Sequence, residues 1–377
     1  MRPLSTKLAA IAPSATIEIT EKARKMQGAG IDVISLSIGE PDFPTPSHIT
    51  QACIDALNRG ETHYAPGKGI PELLEAIAEK IEKENHIPCT PDQVIVGCGA
   101  KDSIYEACEA VLSQGDEAVI LDPAWVSYEP CVQIAGGVPV HHPLNPKTFQ
   151  VDDTLLERIH EKTRMIIINS PSNPSGAILD DASLRLVADI SQDRDLIVLS
   201  DEIYEKLIYG KRHRSIGSLP GMEDRTITVN GFSKAYAMTG WRLGYAVASP
   251  SIIGYMNKVQ QHTISHPTTF AMYGGVAALT GPQDCVEEMR IEFEKRRAYV
   301  LSCMDKMGLS YAPADGAFYA YANVDGDDAE VANRWLEDAH VAVTHGTAFH
   351  HPGWIRISYA ASMDRLEEAM RRISAII

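Results

Sequence analysis

Between Val94 and Ala248 the chain alternates short apolar runs, bounded by Gly, Asp or Asn, with longer stretches whose apolar residues recur every three or four positions. The short runs read as strands buried on both faces and the longer stretches as amphipathic helices laid over them. The predicted strands are Val94–Val96, Ala118–Leu121, Val138–His141, Met165–Asn169, Leu196–Ser200, Thr226–Val229 and Leu243–Ala248. The predicted helices are Ile70–Glu84, Asp102–Ser113, Leu184–Ser191 and Ser251–Gln261. Strand and helix in alternation predict an α/β fold with a mainly parallel seven-stranded sheet covered by helices on both faces. After about Pro282 the pattern changes to a long charged helix, Cys285–Lys306, short strands near Phe318–Ala322 and Val341–Val343, and a closing helix, Met363–Ile376. That change predicts a second, smaller α+β domain.

Gly99, Asn173, Asp201 and Lys234 all stand just past the carboxyl ends of predicted strands. Open α/β sheets bind ligands outside that edge, so four strand ends point at one crevice.

Composition narrows the partner. The 377 residues carry 50 Asp and Glu against 34 Lys and Arg, a formal charge of −16. An acidic surface argues against nucleic acid, although a buried Arg or Lys still binds a small anion. The seven cysteines are scattered and never form a C-x-x-C pair, so neither a disulfide framework nor a zinc site is expected. The histidines, His141-His142 and His350-His351 included, show no metal spacing; no metal is expected and they receive no role. Neither a signal-length apolar segment near the start nor a membrane-length run elsewhere is present, and the expected location is cytoplasmic.

The run from Gly231 to Gly244, GFSKAYAMTGWRLG, puts one lysine among small residues and an arginine eight positions on. A phosphorylated aldehyde held covalently needs such an amine and such a cation. The segment resembles, position by position, the pyridoxal-phosphate attachment signature of class I aminotransferases. The resemblance implies fold type I, with a large domain over 46–281 and a discontinuous small domain from 1–45 and 282–377. It implies pyridoxal 5′-phosphate as cofactor, joined as a Schiff base to Lys234, with Arg242 on its phosphate.

Other motifs take roles from the same resemblance. Asp201, in Asp201-Glu202-Ile203-Tyr204, would keep the ring nitrogen protonated and Tyr204 would donate to the phenolic oxygen; alone, Asp201 reads equally as a helix cap. Asn173, in a segment that by itself reads as a loop, would bond that same oxygen. Val96-Gly97-Cys98-Gly99-Ala100-Lys101 lacks the third glycine of a dinucleotide fingerprint, Asp102 standing in its place, and instead offers the Gly99 and Ala100 amides to the phosphate. Trp125 would stack on the ring, an ordinary core Trp being the alternative. Tyr64, otherwise a surface-turn residue, would reach the phosphate of a neighbouring subunit, which implies a homodimer with shared active sites. Arg356, read as an inward residue on an otherwise apolar strand face, would hold the substrate α-carboxylate with Gly39 closing over it; a structural ion pair is the alternative. Gly231 departs from relatives that carry a phosphate-binding serine there.

Lys101, beside the phosphate pair, and Ser14 and Thr16, in Pro13-Ser14-Ala15-Thr16, resemble the prokaryotic aspartate aminotransferase subgroup, whose equivalents read the distal carboxylate. Trp125 and Asn173 belong to the substrate pocket as well. The implied reaction moves the amino group of an L-amino acid, aspartate first, to 2-oxoglutarate, Lys234 carrying the proton and Asp201 and Tyr204 tuning the cofactor. An aromatic or kynurenine-type aminotransferase or a C–S lyase keeps nearly every motif. A cofactor-binding regulator is disfavoured because the aminotransferase-like pattern leaves no span for a DNA-binding module.

Overall fold

The computed structural model describes residues 4–9, 11 and 15–377, with the backbone alone for 6 and 15–18. Its strands are β1 (Ile34–Ser35), β2 (Val94–Gly97), β3 (Glu117–Asp122), β4 (Val138–Pro143), β5 (Thr163–Asn169), β6 (Ile197–Asp201), β7 (Thr226–Gly231), β8 (Gly244–Val247), β9 (Tyr319–Asn323), β10 (Val341–Ala342), β11 (Thr344–His345) and β12 (Trp354–Ser358). The helices are α1 (Thr6–Ala9), α2 (Ala15–Gly28), α3 (Ser47–Asn58), α4 (Pro71–Lys80), α5 (Ala100–Val111), α6 (Tyr128–Ile134), α7 (Asp181–Asp193), α8 (Pro250–Thr263), α9 (Thr269–Thr280), α10 (Asp284–Lys306), α11 (Asp328–Asp338) and α12 (Met363–Ser374).

Seven strands form one sheet in the order β2-β8-β7-β6-β5-β3-β4, antiparallel only where β8 meets β2 and β7. Each of the seven overlaps a predicted apolar run. The alternation along them sorts side chains to two faces: Ala118, Ile120, Met165 and Ile167 pack under α5 and α8, while Val119, Leu121, Ile166 and Ile168 pack under α7. Each Val, Ile, Leu or Met among them is worth about 1.5–3 kcal/mol on full burial, which is why the sheet holds its register. Two connections then shape the ligand edge. The chain leaves β3 for β4 on one side and returns to β5 on the other, opening a crevice between β3 and β5. The reversal of β8 carries residues just ahead of Gly244 to the edge where the parallel strands end.

A separate three-stranded antiparallel sheet, β11-β12-β9, packs beneath α10 and α12 around Phe293, Val300, Trp335 and Ile357. β1 pairs in parallel with β10, Ile34 opposite Val341, tying the early chain to this C-terminal layer. Ile203, Tyr204 and Leu207 share the same apolar cluster, so the loop after β6 abuts it.

Two expectations need correction. On β12, Arg356 shares its face with Trp354 and Ser358, while Ile355 and Ile357 face the other way; the arginine is surrounded by aromatic rings and polar groups, and the aliphatic face is opposite it. The helix predicted to Glu84 changes at Ile81 into a wider π turn, where Lys80 bonds Asn85 Oδ1 at 2.7 Å and His86 ends it at φ 58°. Sequence periodicity also missed α9, which is apolar on every side. Its Gly274 and Gly275 leave room for Trp241 and Leu243, either of which a Cβ would meet at 2.7 Å.

Candidate active site

At the ligand edge lies a cavity of about 640 Å³, lined by Gly39, Ala100, Lys101, Trp125, Asn173, Asp201, Tyr204, Lys234, Arg242 and Arg356. Ten of the residues singled out from sequence thus meet in one space. Gly99 lies beneath it, and Tyr64 stands on the surface, 92% exposed, its ring edge-on to His266. Ser14 and the Thr16 side chain lie outside the described residues.

Lys234 follows β7 by three residues. Its Nζ donates to the Gly39 carbonyl at 2.5 Å and lies 5.9 Å above the Tyr204 ring. Burial, reinforced by the Arg356 and Arg242 guanidiniums and opposed by Glu40, lowers its pKa to about 8. An amine at that value is about a tenth neutral at pH 7, and the neutral form is the nucleophile.

Asp201 ends β6 and is 4% exposed. Burial raises its carboxyl to about 6, although the Tyr128 hydroxyl (2.7 Å) and the Ile203 amide (3.2 Å) donate to it and pull the other way. A buried carboxylate whose donors among the described residues are a neutral phenol and an amide awaits a cationic partner.

Asn169, at the end of β5, accepts from the Asn173 amide at 2.7 Å and donates to the Asp201 carbonyl at 2.9 Å, fixing both neighbours. Asn173 Oδ1 accepts from Arg356 Nη1 at 2.8 Å, which commits the amide oxygen and leaves the Nδ2 hydrogens for another acceptor. Arg356 Nη2 donates to the Ser37 carbonyl at 2.5 Å and to Thr344 Oγ1 at 3.3 Å, with the Tyr319 and Phe349 ring centres 4.6 and 5.1 Å from the guanidinium. Arg356 is 3% exposed, pairs with no carboxylate among the described residues, and its Nε has no partner. The cation and its orphaned donor suit an incoming carboxylate.

Arg242 sits just before β8 at φ 54°, Nη1 bonded to the Thr239 carbonyl at 2.8 Å, beside the amino end of α5. The Gly99 amide donates to the Gly97 carbonyl at 2.8 Å, so the free amides there begin at Ala100. What Gly99 supplies is space: at φ +86° a Cβ would lie 2.6 Å from Arg242 Nη2. A Cβ at Gly231 would stand 2.9 Å from Gly244 Cα, so the serine of some relatives has no room here. Trp125 meets Tyr128 edge-on and carries Lys101 Nζ 4.9 Å from its ring centre.

Sequence reasoning missed Tyr128, Asn169, Ser37 and Tyr319. The Tyr319 hydroxyl bonds that of Tyr204 at 2.8 Å, and Gly39 lacks a side chain because a Cβ would collide with the same hydroxyl. None of the four stands in a recognisable spacing with Lys234.

The donor set fits pyridoxal phosphate. Arg242 and the α5 amino end suit the phosphate, Trp125 a ring face, Asp201 a ring nitrogen and Lys234 the aldehyde carbon.

Comparisons with known proteins agree. The family model for aminotransferase class I and II matches residues 31–373. The aspartate aminotransferase of Bacillus subtilis (strain 168) is 41% identical, the alignment covering 99% of this chain and 98% of that protein. Among solved structures, the aspartate aminotransferase from Thermus thermophilus with maleate superposes with a TM-score of 0.97 at 39% identity, covering 100% of both chains. The aromatic aminotransferase from Pyrococcus horikoshii OT3 gives 0.90 at 44% identity over 94% of this chain and 98% of that one. The amine, the guanidiniums and the buried carboxylate therefore stand on a known scaffold, and the chain belongs to the class I and II aminotransferases, enzymes that use pyridoxal phosphate.

Proposed function

We propose that this aminotransferase acts on aspartate, passing its amino group to 2-oxoglutarate. The observation that carries this reading is that two cations besides the phosphate-directed Arg242, namely Arg356 and Lys101, line one cavity with the Lys234 amine and have no carboxylate partner among the described residues. A dicarboxylic amino acid supplies one carboxylate to each, and a neutral side chain leaves Lys101 unpaired. The Thermus thermophilus relative was solved with maleate, itself a dicarboxylate.

When bound, pyridoxal phosphate supplies an electron-accepting ring for the pair released as the substrate's Cα–H bond breaks. Arg242 and the Ala100 amide would hold its phosphate, and Lys234 Nζ would anchor it covalently. Asp201 keeps a proton on the ring nitrogen, with Tyr128 holding the carboxylate in place. Arg356 clamps the α-carboxylate, its orientation set by Asn173 and Ser37. The Lys234 amine, whose pKa burial lowers in the cofactor-free site, would take the Cα proton as general base. Tyr64 completes the phosphate site of a second copy, making the enzyme a homodimer; seven free thiols suit the reducing cytoplasm.

The test is the half-reaction. L-Aspartate added alone to the holoenzyme should convert the absorbance of the lysine-bound cofactor to that of its amine form and release one oxaloacetate per site. Lys101→Ala should lower kcat/KM for aspartate by about 10–100-fold and leave alanine unaffected. Conversion by phenylalanine with indifference to aspartate would transfer the assignment to the aromatic type.

A further inference from the structure

Outside the catalytic cavity, side chains from three distant parts of the chain converge. Glu129 lies on α6, His141 on β4, and His350 in a turn at φ 57° between β11 and β12. Glu129 Oε2 is 2.9 Å from His350 Nε2 and 3.8 Å from His141 Nε2, and the three atoms all lie within 4.8 Å of one another. The two imidazoles face each other with centroids 3.8 Å apart and planes inclined by 28°.

Each inner group is held from behind. Asp122 accepts from His141 Nδ1 at 2.9 Å, which leaves the lone pair of the neutral ring on Nε2. That Nε2 is shielded from solvent and has no hydrogen-bond partner. Glu129 Oε1 accepts from Gln133 Nε2 at 2.9 Å, turning Oε2 toward the imidazoles. A carboxylate behind a histidine, fixing its tautomer, is the usual support of a metal-binding imidazole.

We propose that Glu129, His141 and His350 bind a borderline divalent transition metal, of which zinc(II) is the representative ion. Two imidazole nitrogens and one carboxylate oxygen suit zinc, whereas calcium and magnesium require oxygen donors. Zinc bonds of about 2.0–2.1 Å place tetrahedral ligand atoms about 3.3 Å apart, midway between the two separations seen here. Binding replaces the proton that His350 Nε2 shares with Glu129, and the exposed His350 ring turns to aim its lone pair. A second carboxylate–histidine group, Glu202, Glu205 and His213, is different: the Lys80 ammonium already bonds Glu205, while Ser200, Ser215 and Asn85 occupy Glu202.

None of the three ligands lines the catalytic cavity, so the ion is not a reactant. It joins the edge of the large sheet to the segment ending in Phe349, whose carbonyl accepts from the Ala124 amide at 3.3 Å and whose ring lies 5.1 Å from the Arg356 guanidinium. Zinc thereby fastens the segment behind Arg356 to the loop that carries Trp125.

The test is calorimetric titration of chelator-stripped holoenzyme with zinc chloride, read beside thermal unfolding. The native enzyme should bind one zinc per chain and melt higher with it. His350→Ala and Glu129→Gln should each weaken binding by about 10–100-fold and abolish the thermal shift while keeping metal-free transamination within twofold of native, which shows that both variants fold. No zinc uptake by the native enzyme overturns the proposal, leaving a metal-free hydrogen-bonded pair. Uptake unchanged in both variants overturns it equally, by placing the ion on the thiols or elsewhere.

Discussion

Asp201 gives a prediction in which stability and catalysis move in opposite directions. Burial raises its pKa from 3.8 to about 6, so the cofactor-free folded chain holds this proton more tightly than the unfolded chain does. A raised carboxyl pKa has the opposite sign to a salt-bridged one: its penalty is absent below about pH 4, grows as pH rises, and is complete above the folded value. The difference of about two units, at 1.36 kcal/mol each, costs the cofactor-free fold about 3 kcal/mol at pH 8 and about half that at pH 5. Asp201→Asn removes the charge and keeps the shape. The Tyr128 hydroxyl can reverse to accept from the new amide, while Asn Oδ1 still accepts from the Ile203 amide. Stripped of cofactor, the variant should therefore melt about 4 °C above the native chain at pH 8, with the gap shrinking toward pH 5 and closing near pH 3.5. Its transamination should be lost, because an amide cannot keep a ring nitrogen protonated. Scanning calorimetry of both cofactor-free proteins across pH is the assay. Equal melting points at pH 8, or a variant that melts lower, would refute the assignment of Asp201 as an uncompensated buried carboxylate.

Three further outcomes follow from the geometry. With the Lys234 amine near pKa 8, cofactor uptake by the stripped enzyme should quicken about tenfold from pH 6 to 7 and level off above 8; stopped-flow absorbance checks this, and a pH-independent rate would place the amine elsewhere. Arg356→Ala removes a bidentate clamp, and at about 1.5–3 kcal/mol per charge-assisted hydrogen bond it should lower kcat/KM for every amino acid by about 10²–10⁴-fold, with cofactor absorbance retained. Gly99→Ala would push a methyl into Arg242 at a positive φ, so cofactor affinity, measured by equilibrium absorbance titration, should fall at least about tenfold.

Strands buried on both faces announce themselves as short apolar runs, which is why most of the large sheet was legible; β4, a partly exposed edge strand, showed only the alternation of Val138 and Val140. Their order was not. Nothing in Gly244–Val247 signals that it runs backwards, yet that reversal places Arg242 at the ligand edge. Helix α9 offers no contrast between faces over residues 269–280, so periodicity could not mark it; α3 and α11 do offer that contrast and were still absent from the predicted helices. The cavity residues read from sequence were those standing in segments that resemble aminotransferase motifs, such as Lys234 and Arg242 in the run from Gly231 to Gly244. The ones missed, Tyr128, Asn169, Ser37 and Tyr319, act through partners that only folding supplies, as Tyr128 does across 73 positions to Asp201. The histidines illustrate the same limit: His350 meets Glu129 from 221 residues away, a distance no spacing rule spans.

The parallel pairing of Ile34 with Val341 also has a biosynthetic consequence. At about 5–20 residues per second, the ribosome needs roughly 15–60 s to make the chain between them. Throughout that interval the nascent chain lacks the partner for its first strand, even after the whole large sheet has emerged. Completion of the C-terminal layer is thus a late event. A truncation near residue 340 should consequently leave the early chain open to proteases while the large sheet stays protected.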